Sequence, residues 1–169
     1  KTAVNFIKKN GNKKICVMHC TLCYPTDPKN VNFSGLLEIK KNFKDLAIGL
    51  SDHTLGIQSS STAVALGVRA IEKHFTVDKT LKKSADHWLS INPKELNNMR
   101  KSVDDVLLTM GAGGKKVLTC EKKTRLLARR SIVLKINLKK GDILNETNIT
   151  CKRPGNGMHP KYFDKILKE

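Results

Sequence analysis

No stretch of this sequence stays apolar for the ~20 residues that a membrane-spanning helix requires, so no membrane partner is expected. Aromatic residues are sparse at 5% and do not alternate with the basic runs, which removes the stacking platform that single-stranded nucleic acid uses. No nucleic-acid-binding motif is present, and no nucleic-acid partner is expected. Cysteine is limited to five residues, an odd number, and no secretory leader is recognisable. A disulfide framework is therefore not expected; reduced thiols in a cytoplasmic protein are. Cys20 and Cys23 form a C-x-x-C with no second pair to complete a zinc site. Acidic residues are few, 15 against 32 basic ones, leaving a formal charge of +17. The excess is +7 before Gly114 and +10 from there onward. Such a charge attracts phosphates, anionic sugars and other polyanions.

The remaining composition, 39% hydrophobic and 28% charged over 169 residues, suits one globular domain or parts of two. "KICVMHC" (Lys14 to Cys20) is a short β-prone run and reads as a buried strand. In "FSGLLEIKKNF", Phe33, Leu36, Leu37, Ile39 and Phe43 recur at helical spacing. "DLAIGLS" (Asp45 to Ser51) is the next strand, "SSSTAVALGV" a helix begun by capping serines, and "AIEKHFT" (Ala70 to Thr76) the strand after it. The helix that follows carries the fullest set of signals. Asn92 caps it, Pro93 fits its first turn, Glu95 completes a capping box and Gly111 ends it. This alternation is the rhythm of a parallel α/β fold. Beyond residue 112 the chain becomes glycine-rich and basic, reading as a linker over 113–128. Residues 129–169 then form a small β-rich module, cut off at its end with "PKYFDKILKE" still reading as helix.

Two neighbouring strands finish by presenting a histidine. Because alternate strand residues face the same way, Ser51 and His53 share one side and Asp52 takes the other. Glu72 and His74 likewise share a side, with Lys73 opposite in a structural role. All four stand near carboxyl ends of strands, where parallel α/β folds place their chemistry. Two imidazoles on adjacent strands can bind one divalent metal ion, with oxygens of solvent or substrate completing its shell. The blander reading is a pair of packed strand-end histidines.

The ordered segments "HCTLCYP", "GLSDHTLGI", "AVALGVRAIEKHFTVDKT", "ADHWLSINPKEL", "ARRSIV" and "KRPGNG" resemble the sialic acid synthase family over almost the whole chain. The resemblance implies the last three strands of a (β/α)8 TIM barrel over 1–112, followed by an antifreeze-like (SAF) domain. It implies His53 and His74 as ligands of a divalent ion, usually Mn2+, with Mg2+ or Co2+ possible. It implies Ser51 on the phosphate of phosphoenolpyruvate, Tyr24 and Asp86 in the sugar site, and Arg153 reaching the partner subunit's site in a domain-swapped homodimer. Glu72, which shares a face with His74, is expected to orient an oxygen or a water at the metal. Leu22 stands where relatives carry a small polar residue that touches phosphate, and leucine has no donor to offer.

The activity implied joins phosphoenolpyruvate to an N-acetylated hexose of the N-acetylmannosamine type, giving N-acetylneuraminate and phosphate. Legionaminate or pseudaminate synthesis is the alternative within the family. A noncatalytic, basic polyanion-binding module is the alternative from another class. A three-strand portion of a barrel leaves two sheet edges open, and no turnover is expected from it alone.

Overall fold

In a computed structural model, residues 1–167 are described; Lys168 and Glu169, the end of the expected last helix, lie outside them. The chain divides into two units, Lys1–Gly113 and Gly114–Glu169. In the first unit three parallel strands, β1 (Cys16–Cys20), β2 (Ala47–Asp52) and β3 (Ala70–Lys73), lie side by side in sequence order. Cys20 pairs with Ser51, and Ser51 with Glu72, so the three carboxyl ends finish together. Single bridges, Thr26 to Thr54 and Phe75 to Ile91, carry the pairing just past the strand ends. Among the described residues no named strand pairs with the outer edge of β1 or β3.

Helices α2 (Phe33–Asn42), α3 (Gln58–Ala65) and α4 (Pro93–Met110) follow the three strands. Leu36 of α2, Leu50 of β2, Ala63 of α3 and Val68 form the buried cluster, with Phe33, Val64, Leu66 and Ile71 packed around it. The core therefore sits between the helices and one face of the sheet. In β2 this face takes Ile48, Leu50 and Asp52, leaving Gly49, Ser51 and His53 to the other. α4 is built as its sequence dictates: Asn92 accepts from the Glu95 amide, Glu95 reciprocates, and Gly111 closes the helix at φ +62°.

Two sequence expectations need correction, and one element was not anticipated. α1 (Thr2–Lys9) is a helix to which the sequence reading assigned nothing. The serines expected to cap α3 lie inside its first turn; Ile57 occupies the cap position without a side-chain cap, and Ser60 binds Asp52. The expected linker, 113–128, carries the helix α5 (Glu121–Ala128), which belongs to the second unit.

The second unit pairs β4 (Ser131–Leu134) with β5 (Ile149–Lys152) in antiparallel fashion and ends with a 3-10 turn at Pro160–Tyr162 and the short helix α6 (Phe163–Ile166). Ser131 is buried and ties the Pro-Gly-Asn-Gly turn in place. Its hydroxyl donates to the Pro154 carbonyl and accepts from the Gly157 amide, both at 2.8 Å.

Gly49, in the middle of β2, permits Met18 to lie across the sheet face, and a Cβ there would also stand 2.9 Å from the Ala70 carbonyl oxygen. Gly49→Ala is expected to cost about 1–3 kcal/mol in urea unfolding. Met18→Ala should not restore the loss, because the backbone oxygen remains in the way; full rescue by that second substitution would disprove the close-approach argument.

Candidate metal centre

The site stands on a buried ionic network on the helix side of the sheet. Asp52 accepts from the Thr54 amide (2.9 Å) and hydroxyl (2.7 Å) through one oxygen, and from Ser60 Oγ (2.6 Å) and Lys73 Nζ (3.0 Å) through the other. Lys73 also donates to the Thr54 carbonyl at 2.7 Å. The Asp52 and Lys73 side chains are 1% and 3% exposed. Burial pushes the Asp52 carboxyl up, but hydrogen bonds from Ser60 and Thr54 and the Lys73 charge outweigh it, holding the group below its ordinary value of 3.8. The network locks the ends of β2 and β3 to each other and to α3. With Asp52 and Lys73 on the helix side, alternation delivers Ser51, His53, Glu72 and His74 to the other side.

There, three rings meet. The His53 and His74 ring centres are 5.3 Å apart at an interplanar angle of 63°. Tyr24 packs against both, at 4.2 Å from His53 and 5.6 Å from His74. His53 is buried, and its Nδ1 lies 3.0 Å from the Thr21 carbonyl. A carbonyl can only accept, so Nδ1 carries the proton and the neutral ring keeps its lone pair on Nε2. The Cys20 thiol is 4.0 Å from the same nitrogen. On His74, Nδ1 faces the Asp86 carboxylate at 3.7 Å. Each imidazole thus turns Nδ1 toward an acceptor, the arrangement by which metal-binding histidines are oriented with Nε2 free.

The separation suits a shared ion. An ion bound at ~2.0–2.1 Å from a ring nitrogen lies a little over ~3 Å from the ring centre, so two rings 5.3 Å apart can bind one between them. Among the described residues no group of three or more His, Cys, Asp or Glu could hold a metal ion. An ion held by these two nitrogens would need oxygen donors to complete its shell.

The structure gathers Tyr24, His53, His74 and Asp86 directly, and sets Ser51 beside Glu72 on the same face. Ser51 Oγ donates to Glu72 Oε1 at 2.6 Å, so the hydroxyl expected on a phosphate is held here by a carboxylate. Asp86, expected on sugar hydroxyls, faces a histidine. Arg153 belongs to the second unit, just after β5. Leu22 is 78% exposed beside this site. Sequence reasoning read Cys20 only as half of a C-x-x-C, gave Lys73 a structural role without naming its partner, and passed over the Thr21 carbonyl and the Thr54 and Ser60 donors of Asp52. Only the last had a signal, the short-range pattern of Asp52, Thr54 and Ser60 in which a carboxylate meets nearby amides and hydroxyls.

Residues 1–115 match the NeuB family, and residues 129–167 match the SAF domain. The chain belongs to the NeuB family. It is 41% identical to the N,N'-diacetyllegionaminic acid synthase of Campylobacter jejuni, covering 98% of this chain and 49% of that one. It is 39% identical to the N-acetylneuraminate-9-phosphate synthase of Homo sapiens, covering 86% of this chain and 40% of that one. The crystal structure of the N-acetylneuraminic acid (sialic acid) synthetase of Leptospira borgpetersenii superposes with a TM-score of 0.64 at 33% identity, over 73% of this chain and 42% of that one. The family's members therefore include synthases of sialic, legionaminic and pseudaminic acids. The chain spans about half the length of the curated relatives it matches. No helix among the described residues is long and apolar enough to cross a membrane.

The buried pair makes two outcomes measurable. Lys73→Met leaves a carboxylate buried without its cation and is expected to cost about 3–5 kcal/mol in urea unfolding. Because the folded Asp52 titrates below its unfolded value, its stabilisation is complete above roughly pH 4 and is lost as the pH falls through the folded value. The stability gap between wild type and Asp52→Asn should accordingly narrow on acidification below that point; a gap independent of pH would contradict the network.

Proposed function

We propose that this chain is the carboxyl-terminal part of a phosphoenolpyruvate-dependent nonulosonate synthase, comprising the last strands of a (β/α)8 barrel and an SAF domain. The observation that carries the reading is the pair of histidines just past the ends of adjacent parallel strands, each with Nδ1 turned to an acceptor and Nε2 left free. The acceptor substrate is an N-acetylated hexose of the N-acetylmannosamine type, and the products are N-acetylneuraminate and inorganic phosphate. The 41% identity to a diacetyllegionaminic acid synthase over nearly the whole chain favours a second acceptor, a hexose with two acetamido groups.

In the reaction, C3 of phosphoenolpyruvate forms a bond to the open-chain aldehyde carbon, whose oxygen takes a proton and becomes a hydroxyl. Water adds at C2, and the bond from C2 to the phosphate oxygen breaks with its electron pair leaving on phosphate. One water is consumed. His53 and His74 would hold a divalent ion, most readily Mn2+, which supplies Lewis-acid polarisation of the aldehyde. Neutral imidazoles serve this purpose because they bind the ion while leaving its positive charge intact. Glu72, exposed on the same face and already hydrogen-bonded to Ser51, orients the attacking water. Ser51 exchanges its carboxylate partner for the phosphate when substrate binds. Tyr24 walls the sugar site beside both rings, and Asp86 stands at its border. Arg153, a planar and permanently charged donor, is assigned to the N-acyl group or carboxylate in the site of the partner subunit in a homodimer.

Mn2+ titrated into the protein should broaden the ring signals of His53 and His74 together in NMR spectra. His53→Ala should weaken the affinity at least about tenfold; an unchanged affinity would refute the shared site. The 169-residue chain alone is expected to release no phosphate from phosphoenolpyruvate, because its three-stranded sheet leaves both outer edges without a named strand among the described residues. Turnover by the chain alone would overturn that expectation.

A further inference from the structure

The two histidines are oriented by different means, and the difference points to a residue with no assigned role. His53 is held by a backbone carbonyl, but His74 faces a carboxylate carried on the loop between β3 and α4. A loop carboxylate orients a ring only if something holds the loop. The residue beside Asp86 does this. His87 Nδ1 lies 2.8 Å from Thr76 Oγ1, and Thr76, only 4% exposed, donates that hydroxyl's proton to the Asp78 carbonyl at 2.9 Å. Thr76 Oγ1 must then accept from His87, which fixes the proton on Nδ1 of His87. Thr76 is two residues from His74, and its amide donates to the Ile91 carbonyl while the Ile91 amide donates to the His74 carbonyl. The Asp86 carbonyl is held in turn by the Ser90 hydroxyl at 2.6 Å and amide at 3.1 Å. The chain thus closes a ring running from His74 through Thr76, His87 and Asp86 back to His74.

We infer that His87 is a positioning residue: through Thr76 it sets the Asp86 carboxylate against Nδ1 of His74, keeping the His74 proton on Nδ1 and Nε2 open. The inference rests on the proposed function for its purpose but not for its test. The 3.7 Å separation is that of an ion pair, longer than a hydrogen bond, and hydrogen bonds at ligand sites are commonly long before the ligand is bound. If Asp86 only bound sugar hydroxyls, the state of the His74 ring would be indifferent to His87.

The test is the His74 tautomer, read from long-range proton–nitrogen NMR correlations of the full 169-residue chain at a pH where the ring is neutral. The wild type should show the proton on Nδ1. His87→Ala and Asp86→Asn should both move it toward Nε2, and His87→Asn, whose amide can donate to Thr76, should move it back. Zn2+ added alone should bind His87→Ala about ten- to a hundredfold more weakly than wild type. A His74 tautomer that stays on Nδ1 in a folded His87→Ala chain overturns the inference, and if that variant unfolds, Asp86→Asn decides by the same signal. A tautomer that shifts as expected in a chain that binds no metal would sustain the positioning role and remove the proposed function instead.

Discussion

One buried carboxylate determines what this chain can present to solvent. Asp52 is enclosed on the helix side of the sheet, where an ionised group is tolerated only if hydrogen bonds and a countercharge replace its lost water. It has both: three uncharged donors from Thr54 and Ser60, and the ammonium of Lys73. These partners come from the end of β2, the first turn of α3 and the end of β3. Satisfying one charge therefore fixes three elements. It also sets their register, because a slip of one residue would bring a histidine inward and turn the charged pair out. The two imidazoles lie on the open face because their neighbours are committed to the closed one.

Much of this was legible beforehand because period and spacing are local properties. The strand runs, the Asn92–Glu95 capping box and the alternation of Ser51, Asp52 and His53 each depend on a few adjacent residues, and each is found where the sequence suggests, although the strand expected over Ala70 to Thr76 ends at Lys73. The misreadings share a cause in contacts that no local pattern records. The serines at the start of α3 look like caps, but the helix begins at Gln58, ahead of them, and Ser60 donates to the buried carboxylate of Asp52 from within the first turn. The "TCEKKTRLLA" segment lies in a glycine-rich, basic stretch and reads as linker, yet Leu126 and its neighbours form a helix whose Leu126 carbonyl accepts from the Gly155 amide 29 positions later. No local pattern announces such a bond. The pairing of His87 with Thr76, and the approach of Asp86 to His74, were equally invisible, because both depend on the path of a loop with no periodicity.

The second unit follows the same economy with neutral groups. Ser131 is buried at the start of β4 and spends its hydroxyl on both ends of the turn that follows Arg153. Gly155 lies so close to Arg129 that a Cβ there would meet the Arg129 Cβ at 2.5 Å, which explains why a glycine stands at this point of the turn. The basic charge of this unit is therefore not all of one kind. Arg153 leaves a turn pinned at its far side by two hydrogen bonds, whereas lysines such as Lys139 and Lys140 lie on exposed loop. A residue expected to reach a ligand outside its own unit gains from such a base, since a fixed backbone leaves only side-chain entropy to be lost on binding.

The site itself combines a rigid half with an adjustable one. His53 is buried and its acceptor is main chain, so its orientation follows from the fold. His74 is partly exposed, and its acceptor is a side chain on a loop, 3.7 Å away. On the proposed reading, the first ring would define the position of an ion and the second would adjust to it. Two rigid rings would bind an ion more firmly but could not accommodate a shell whose oxygens change during a reaction. Two mobile ones would lose orientation and with it affinity. On the proposed reading, the uneven support of the two imidazoles would suit a Lewis-acid centre most of whose coordination sphere belongs to substrate and solvent.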